Sequence, residues 1–187
     1  MRILAISGSF RHGSYNTALV RTAQGLAPEG VEVELYEELE SLPAFSQDRE
    51  AVLPEPVQRL NRLIREADAL LIATPEYNGS APGALKNALD WASRPHGAAP
   101  LVAKPAAVIG ASTTAYGAQW AQEQIRRALT LSGSMVIDAE LAVGRAADKV
   151  VGGEVADEET RAALAGVIDE LAAAGAAMRA QQDSLAA

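Results

Sequence analysis

Residues 2–20, RILAISGSFRHGSYNTALV, run from an apolar segment through a loop of small and hydroxyl residues into a helical pattern. The near-continuous apolar run at 2–7 is the mark of a strand covered on both faces. The loop that follows it carries Gly8 and Gly13, which allow a tight turn and close backbone approach to a ligand. Ser7, Ser9, Ser14 and Asn16 add hydroxyl and amide groups, and Arg11 adds a forked cation suited to phosphate. The loop opens a helix, whose free N–H groups and positive dipole end favour an anion. A simple turn with one capping residue needs fewer such groups than this cluster around an arginine provides.

The same alternation continues along the chain. Strands are expected over 2–7, 31–36, 69–74, 106–110 and 134–137, and helices over 16–27, 56–67, 82–93, 118–131 and 157–179, with a frayed tail over about 180–187. The second strand alternates Val31, Val33 and Leu35 with Glu32 and Glu34, so it belongs at an edge, half exposed. Parallel neighbours need crossover helices, so this order implies an α/β fold. The expectation is a single flavodoxin-like domain over 1–187, a three-layer sandwich whose five-stranded parallel sheet has the order 2-1-3-4-5. Ligands sit at the switch point of such a sheet, beyond the carboxyl ends of strands 1 and 3.

Composition narrows the chemistry. The chain has 187 residues, 49% of them hydrophobic and 21% charged, and a formal net charge of −8. Such a charge argues against a nucleic-acid partner and against an anionic membrane surface. There is no cysteine, which excludes disulfides and dithiol redox chemistry, so any redox activity resides in a bound cofactor. No histidine pair or carboxylate cluster has metal-ligand spacing. His12, in the first loop, reads as a solvated bystander, and His96 belongs to a surface loop. A segment long enough to span a membrane is lacking, and the chain reads as cytoplasmic.

The first loop lacks the G-x-G-x-x-G spacing of dinucleotide folds, and no acidic residue at the end of the second strand is clearly placed for an adenosine ribose. It also lacks the G-x-x-x-x-G-K-[ST] pattern of nucleoside triphosphate sites. A terminal monophosphate fits it better. The loop TPEYNGSAPGALKNALDW (74–91) follows the third strand, which stops at Pro75; Glu76, Tyr77, Asn78 and Gly79 then turn, and Pro82 starts a helix. Its chemistry suits equally a platform for a planar heterocycle, with Tyr77 as an aromatic wall, or an ordinary turn. The loop GASTTAYGAQW (110–120) lies on the same sheet edge and supplies further small and hydroxyl groups. A receiver domain is rejected because Ile6 and Ser7 stand where acidic residues are required, and a serine hydrolase because no G-x-S-x-G pentapeptide occurs.

Two long patterns bring a family into view. SGS-x-R-x-G-S-x-N stands at 7–16, TPEYNGS-x-PG-x-LKNA-x-DW stands at 74–91, and LPAFSQD at 42–48 is similar to a third segment, LP-x-x-x-QD. Over nearly its whole length the chain resembles the NAD(P)H-dependent FMN reductases, with the related chromate, quinone and azo-dye reductases. The resemblance implies that Ser9, Arg11, Ser14, Tyr15, Asn16 and Thr17 hold the phosphate of FMN. It implies that Pro75, Glu76, Tyr77 and Asn78 line the isoalloxazine ring, and that Ser112, Thr113 and Gly117 close the other edge. Where many members carry two adjacent glycines, this chain has Gly117 followed by Ala118.

The resemblance further implies an oxidoreductase without an obligatory side-chain acid or base. It would take NADPH or NADH as donor and pass hydride through FMN to a small-molecule acceptor by a ping-pong cycle. A homodimer or homotetramer is also implied, with Trp91, Trp120 and the 42–48 segment as interface candidates. The alternative is a non-enzymatic FMN-binding electron carrier or redox-sensing protein.

Overall fold

The computed structural model describes residues 1–186. Five parallel strands, β1 (Arg2–Ser7), β2 (Glu32–Tyr36), β3 (Ala69–Thr74), β4 (Pro105–Ala111) and β5 (Met135–Val143), form one sheet in the order β2-β1-β3-β4-β5. The central strands β3 and β4 are buried along their whole length, as their unbroken apolar runs require.

Successive side chains of β1 and β3 point to opposite faces, and this divides the core in two. Leu4, Ile6, Leu70 and Ile72 pack with Val57, Leu60 and Ile64 of α2 (Glu55–Glu66), Leu85 and Trp91 of α3 (Gly83–Ala92), and Ile125 of α4 (Gln119–Leu131). Ile3, Ala5, Leu71 and Ala73 face Leu19 and Val20 of α1 (Tyr15–Leu26) and Leu164, Ile168 and Leu171 of the long terminal helix. Each Leu or Ile so buried contributes about 1.5–3 kcal/mol relative to an exposed position.

Three local differences from the sequence expectations have physical causes. The fifth strand runs to Val143, well past 137, because a register irregularity between Ala106 and Val108 of β4 lets β5 resume pairing at Glu140. That bulge interrupts the apolar pattern with Asp138 and Glu140, which hid the strand's second half. Residues 145–156, unassigned from sequence, form a short helix α5 (Ala146–Lys149) and a hairpin of β6 (Val150–Val151) and β7 (Glu154–Val155), tied to α1 by the Val155 amide donating to Thr22 Oγ1 at 2.9 Å. The terminal helix α6 (Glu158–Ala186) continues through residues expected to fray, leaving only Ala187 outside the described part. Its start is capped by Asp157, which accepts from the Thr160 amide at 2.9 Å; these Thr160 hydrogen bonds hold the Asp157 carboxyl below its usual range.

Trp91, expected as an interface residue, is instead fully buried. Its Nε1 donates to the Pro43 carbonyl at 2.8 Å, and its ring meets Phe45 edge-on at 4.9 Å. Asn87 donates to the same carbonyl and accepts from the Phe45 amide. The 42–48 segment is therefore fastened to its own α3, which explains why asparagine and tryptophan stand four residues apart on that helix. Trp120, by contrast, is exposed and pairs with Tyr116 at 4.9 Å.

Candidate active site

The loops after β1, β3 and β4 meet at the carboxyl edge of the sheet around a cleft of about 260 Å³. It brings together Ser9, Arg11, Ser14, Tyr15, Asn16, Pro75, Glu76, Tyr77, Ser112 and Thr113, with Ala111 as an additional wall. Thr17, Asn78 and Gly117 do not line it.

The first loop is built for an anion. Ser14 is the N-cap of α1, accepting from the Thr17 amide at 3.3 Å, so the capping role and the binding role coexist in one residue. The next two amides, of Tyr15 and Asn16, have no intrahelical acceptor and stand at the positive end of the helix. Arg11 lies over the Tyr15 ring, with its guanidinium carbon 5.0 Å from the centroid, and has no carboxylate partner among the described residues. An arginine without a counter-ion beside free helix amides fits a phosphate monoester. Gly8 is needed where the loop leaves the sheet: an added Cβ would lie 3.1 Å from Leu85 Cδ2 and 3.2 Å from Pro75 Cδ.

The side chain of Asn16 has a structural task. It is buried, its Nδ2 donates to the Ala111 carbonyl at 3.0 Å, and its Oδ1 accepts from the Ala111 amide at 2.9 Å. It bolts the phosphate loop to the end of β4. Thr17 pairs its hydroxyl with Ser7 at 2.8 Å and lines the adjoining groove together with Ser9, Arg11 and Ser14.

The second loop is a two-residue hairpin. Tyr77 and Ser80 exchange backbone hydrogen bonds of 2.9 and 3.1 Å across Asn78 and Gly79, whose φ values of 54° and 71° are those of a type I′ turn. Asn78 is thus at an exposed turn tip. Two ties to α4 went unread in the sequence. The Glu76 carboxylate accepts from the Ala121 amide at 3.2 Å, serving as a cap for a helix whose own N-cap residue is Ala118. Gln124 accepts from Ser80 Oγ at 2.8 Å and from the Ala81 amide at 3.1 Å.

The third loop is braced against the β5–α5 turn. The Ser112 amide donates to the Val143 carbonyl at 3.1 Å, and the Arg145 amide to the Thr114 carbonyl at 2.8 Å. Gly117 has a φ of 59°, and an added Cβ would stand 2.4 Å from the Ala142 carbonyl carbon. Ala118 has a φ of 61°, a left-handed conformation that costs a non-glycine residue about 1–2 kcal/mol. The paired glycines of the resembled family correspond here to two consecutive left-handed residues.

Beyond the first loop lies a second groove, of about 460 Å³, which shares Ser9, Arg11 and Ser14 with the cleft and extends to the end of β2. Tyr36 lies on its inner side; its hydroxyl is buried without a hydrogen-bond partner. Burial, helped by the charge of Glu38, pushes that hydroxyl's pKa up to about 12.

A doubly wound sheet with a monophosphate cradle and a hairpin platform at its switch point defines an FMN-binding protein of the flavodoxin-like class. A family model described as NADPH-dependent FMN reductase matches residues 1–148, and the chain belongs to that family. It is similar to an NAD(P)H-dependent FMN reductase of Pseudomonas aeruginosa, 48% identical over 130 residues that cover 69% of each chain. It is also similar to a 2-hydroxy-1,4-benzoquinone reductase of a Burkholderia species, 36% identical over 92% of this chain and 95% of the relative. Among solved structures, the flavoenzyme NAD(P)H:(acceptor) oxidoreductase FerB of Paracoccus denitrificans superimposes with a TM-score of 0.86 at 36% identity, covering 95% of this chain and 98% of that one. The chain is therefore an oxidoreductase whose cofactors are FMN and NAD(P)H. No helix among the described residues is long and apolar enough to cross a membrane.

Proposed function

We propose that this chain reduces quinone-type and related small acceptors (quinones, flavins, azo compounds or chromate) with NADPH or NADH in a ping-pong cycle. The observation that carries the proposal is the convergence of Arg11, lacking a counter-ion, and the free Tyr15 and Asn16 amides on the same cleft as Pro75, Tyr77 and Ser112. FMN, when bound, supplies the redox chemistry, taking two electrons and a proton from the nicotinamide and giving them to an acceptor that occupies the place the nicotinamide leaves.

Arg11, Ser9, Ser14 and the first-turn amides of α1 hold the phosphate. With FMN bound, Pro75 and the Glu76–Tyr77 backbone would lie beside the ring, and Ser112 and Thr113 would close its far edge. Quinone reductases among the relatives support the acceptor class. A homodimer or homotetramer belongs to the same reading, supported by a groove between α3 and α4 where Ala128 and the exposed Leu131 are rimmed by Lys86, Asp90 and Arg127. A cytoplasmic location, where NAD(P)H is made, fits it as well.

The test is to mix flavin-loaded protein with NADPH or NADH under argon and then add a benzoquinone. Loss of the yellow absorbance, and its return on adding the quinone, is expected. Absorbance that persists with both donors replaces this reading with that of an electron carrier.

A further inference from the structure

The groove beside the FMN cleft is bounded on one side by the phosphate loop itself, sharing Ser9, Arg11 and Ser14 with the cleft. It runs from the loop across the end of β2 to the tip of the β6–β7 hairpin, at Gly153. Gly153 has a φ of 87° and no side chain, and an added Cβ would stand 3.8 Å from the Arg21 guanidinium, so the hairpin leaves Arg21 open to the groove. Arg21 has no carboxylate partner among the described residues, and neither Glu37 nor Glu40, which also line the groove, has a basic one there. Phe10 lies at the mouth with 52% of its surface exposed.

Unpaired groups of both signs facing one cavity, with a free aromatic ring at its mouth, do not suit a quinone or an inorganic oxyanion. They suit a ligand that is itself divided into an aromatic base, a polyhydroxyl sugar and an anionic linker. We infer that this groove is the subsite for the adenosine diphosphate half of the nicotinamide donor, an assignment that rests on the reductase reading. Phe10 offers a face to adenine. Glu37 and Glu40 accept from ribose hydroxyls, as acidic residues at the end of the second strand do in other doubly wound sheets. Arg21 takes the diphosphate, which a single Arg11 on the boundary, already committed to the flavin phosphate, leaves unbalanced. No ribose partner stood out in the sequence because Glu37, Glu38 and Glu40 crowd one short segment. Only the fold distinguishes Glu38, which pairs with Arg59 at 2.8 Å, from the two that face the groove.

The flavin-loaded protein is titrated calorimetrically with ADP, and its steady-state kinetics are compared for NADH and for reduced nicotinamide mononucleotide, which lacks the adenosine half. ADP is expected to bind and to compete with NADH, and NADH to exceed the mononucleotide in kcat/KM by about tenfold or more. Arg21→Ala should weaken ADP about tenfold and raise the KM for NADH to match, while leaving the KM for the mononucleotide in place. Phe10→Ala, at an exposed position, is a second variant expected to act in the same direction.

Equal use of the two donors, or ADP affinity indifferent to Arg21, overturns the inference. Release of flavin by ADP overturns it too, by assigning the groove to the cofactor. These outcomes are separate from failure of the reductase reading, in which neither donor bleaches the flavin.

Discussion

Asn16 and the backbone of Ala111 exchange two hydrogen bonds, of 3.0 and 2.9 Å, across 95 residues of sequence. This pair sets the distance between the phosphate loop and the wall contributed by β4. Asn16→Ala leaves a buried N–H and C=O of Ala111 without partners and is expected to lower the unfolding free energy by about 2–3 kcal/mol. Urea denaturation measures the loss. The FMN dissociation constant should rise with it, because the two halves of the cleft no longer share a fixed spacing; unchanged stability and affinity would remove this role.

Arg11→Ala should raise the FMN dissociation constant by about 10- to 100-fold, the range for losing charge-assisted hydrogen bonds to a phosphate. Fluorescence titration of stripped protein reads this directly. Lysine at the same position keeps the charge but not the fork, so Arg11→Lys should fall between. A variant that purifies with full flavin content counts against the phosphate role.

Ala118→Gly should stabilise the protein by about 1 kcal/mol, since it relieves a left-handed alanine at the cost of some unfolded-state entropy. Gly117→Ala should act in the opposite sense and far more strongly, because its Cβ has backbone, not a flexible side chain, in the way. The midpoints of urea unfolding for the two variants test the contrast. A destabilised Ala118→Gly would mean that the methyl group's burial outweighs the backbone strain.

The Tyr36 hydroxyl gives a pH-dependent prediction. Its folded pKa, about 12, lies above the unfolded value of 10, so the native state retains a proton that the unfolded chain releases. The associated stability is fully present below pH 10 and is lost as pH rises towards 12. Tyr36→Phe should flatten the fall in stability over that window. At neutral pH it should be neutral or stabilising by about 1 kcal/mol, because it removes a buried hydroxyl that has no partner. Unfolding curves of both proteins at about pH 7, 10 and 11 decide it.

Strand order and the location of the cleft were legible in the sequence because both depend on local signals. The unbroken apolar run of β3 and the alternation of β2 announce centre and edge, and the order of elements does the rest. The loop residues that face the cleft were legible for the same reason. Division of labour among the polar residues escaped. An asparagine that bolts a loop to a distant backbone and one that binds phosphate look alike until the partner at position 111 is known. That the Glu76 carboxylate also caps α4 becomes readable only once Ala118 is found at that helix's N-cap. Gln124 and Asn87 act across loops whose mutual approach only the fold sets. The missed half of β5 has the same origin, since its pairing depends on an irregularity that no periodic pattern contains.

That irregularity bears on how molecules of this protein can meet. An open sheet has two unpaired edges, and each is a template on which a neighbouring chain could add a strand. At one edge β2 carries Glu32 and Glu34, and at the other β5 is bent by the bulge and carries Asp138 and Glu140. Charged side chains and a broken register at these margins discourage strand-by-strand growth into filaments. The helical faces of the sandwich carry no unpaired backbone of this kind and offer no such template.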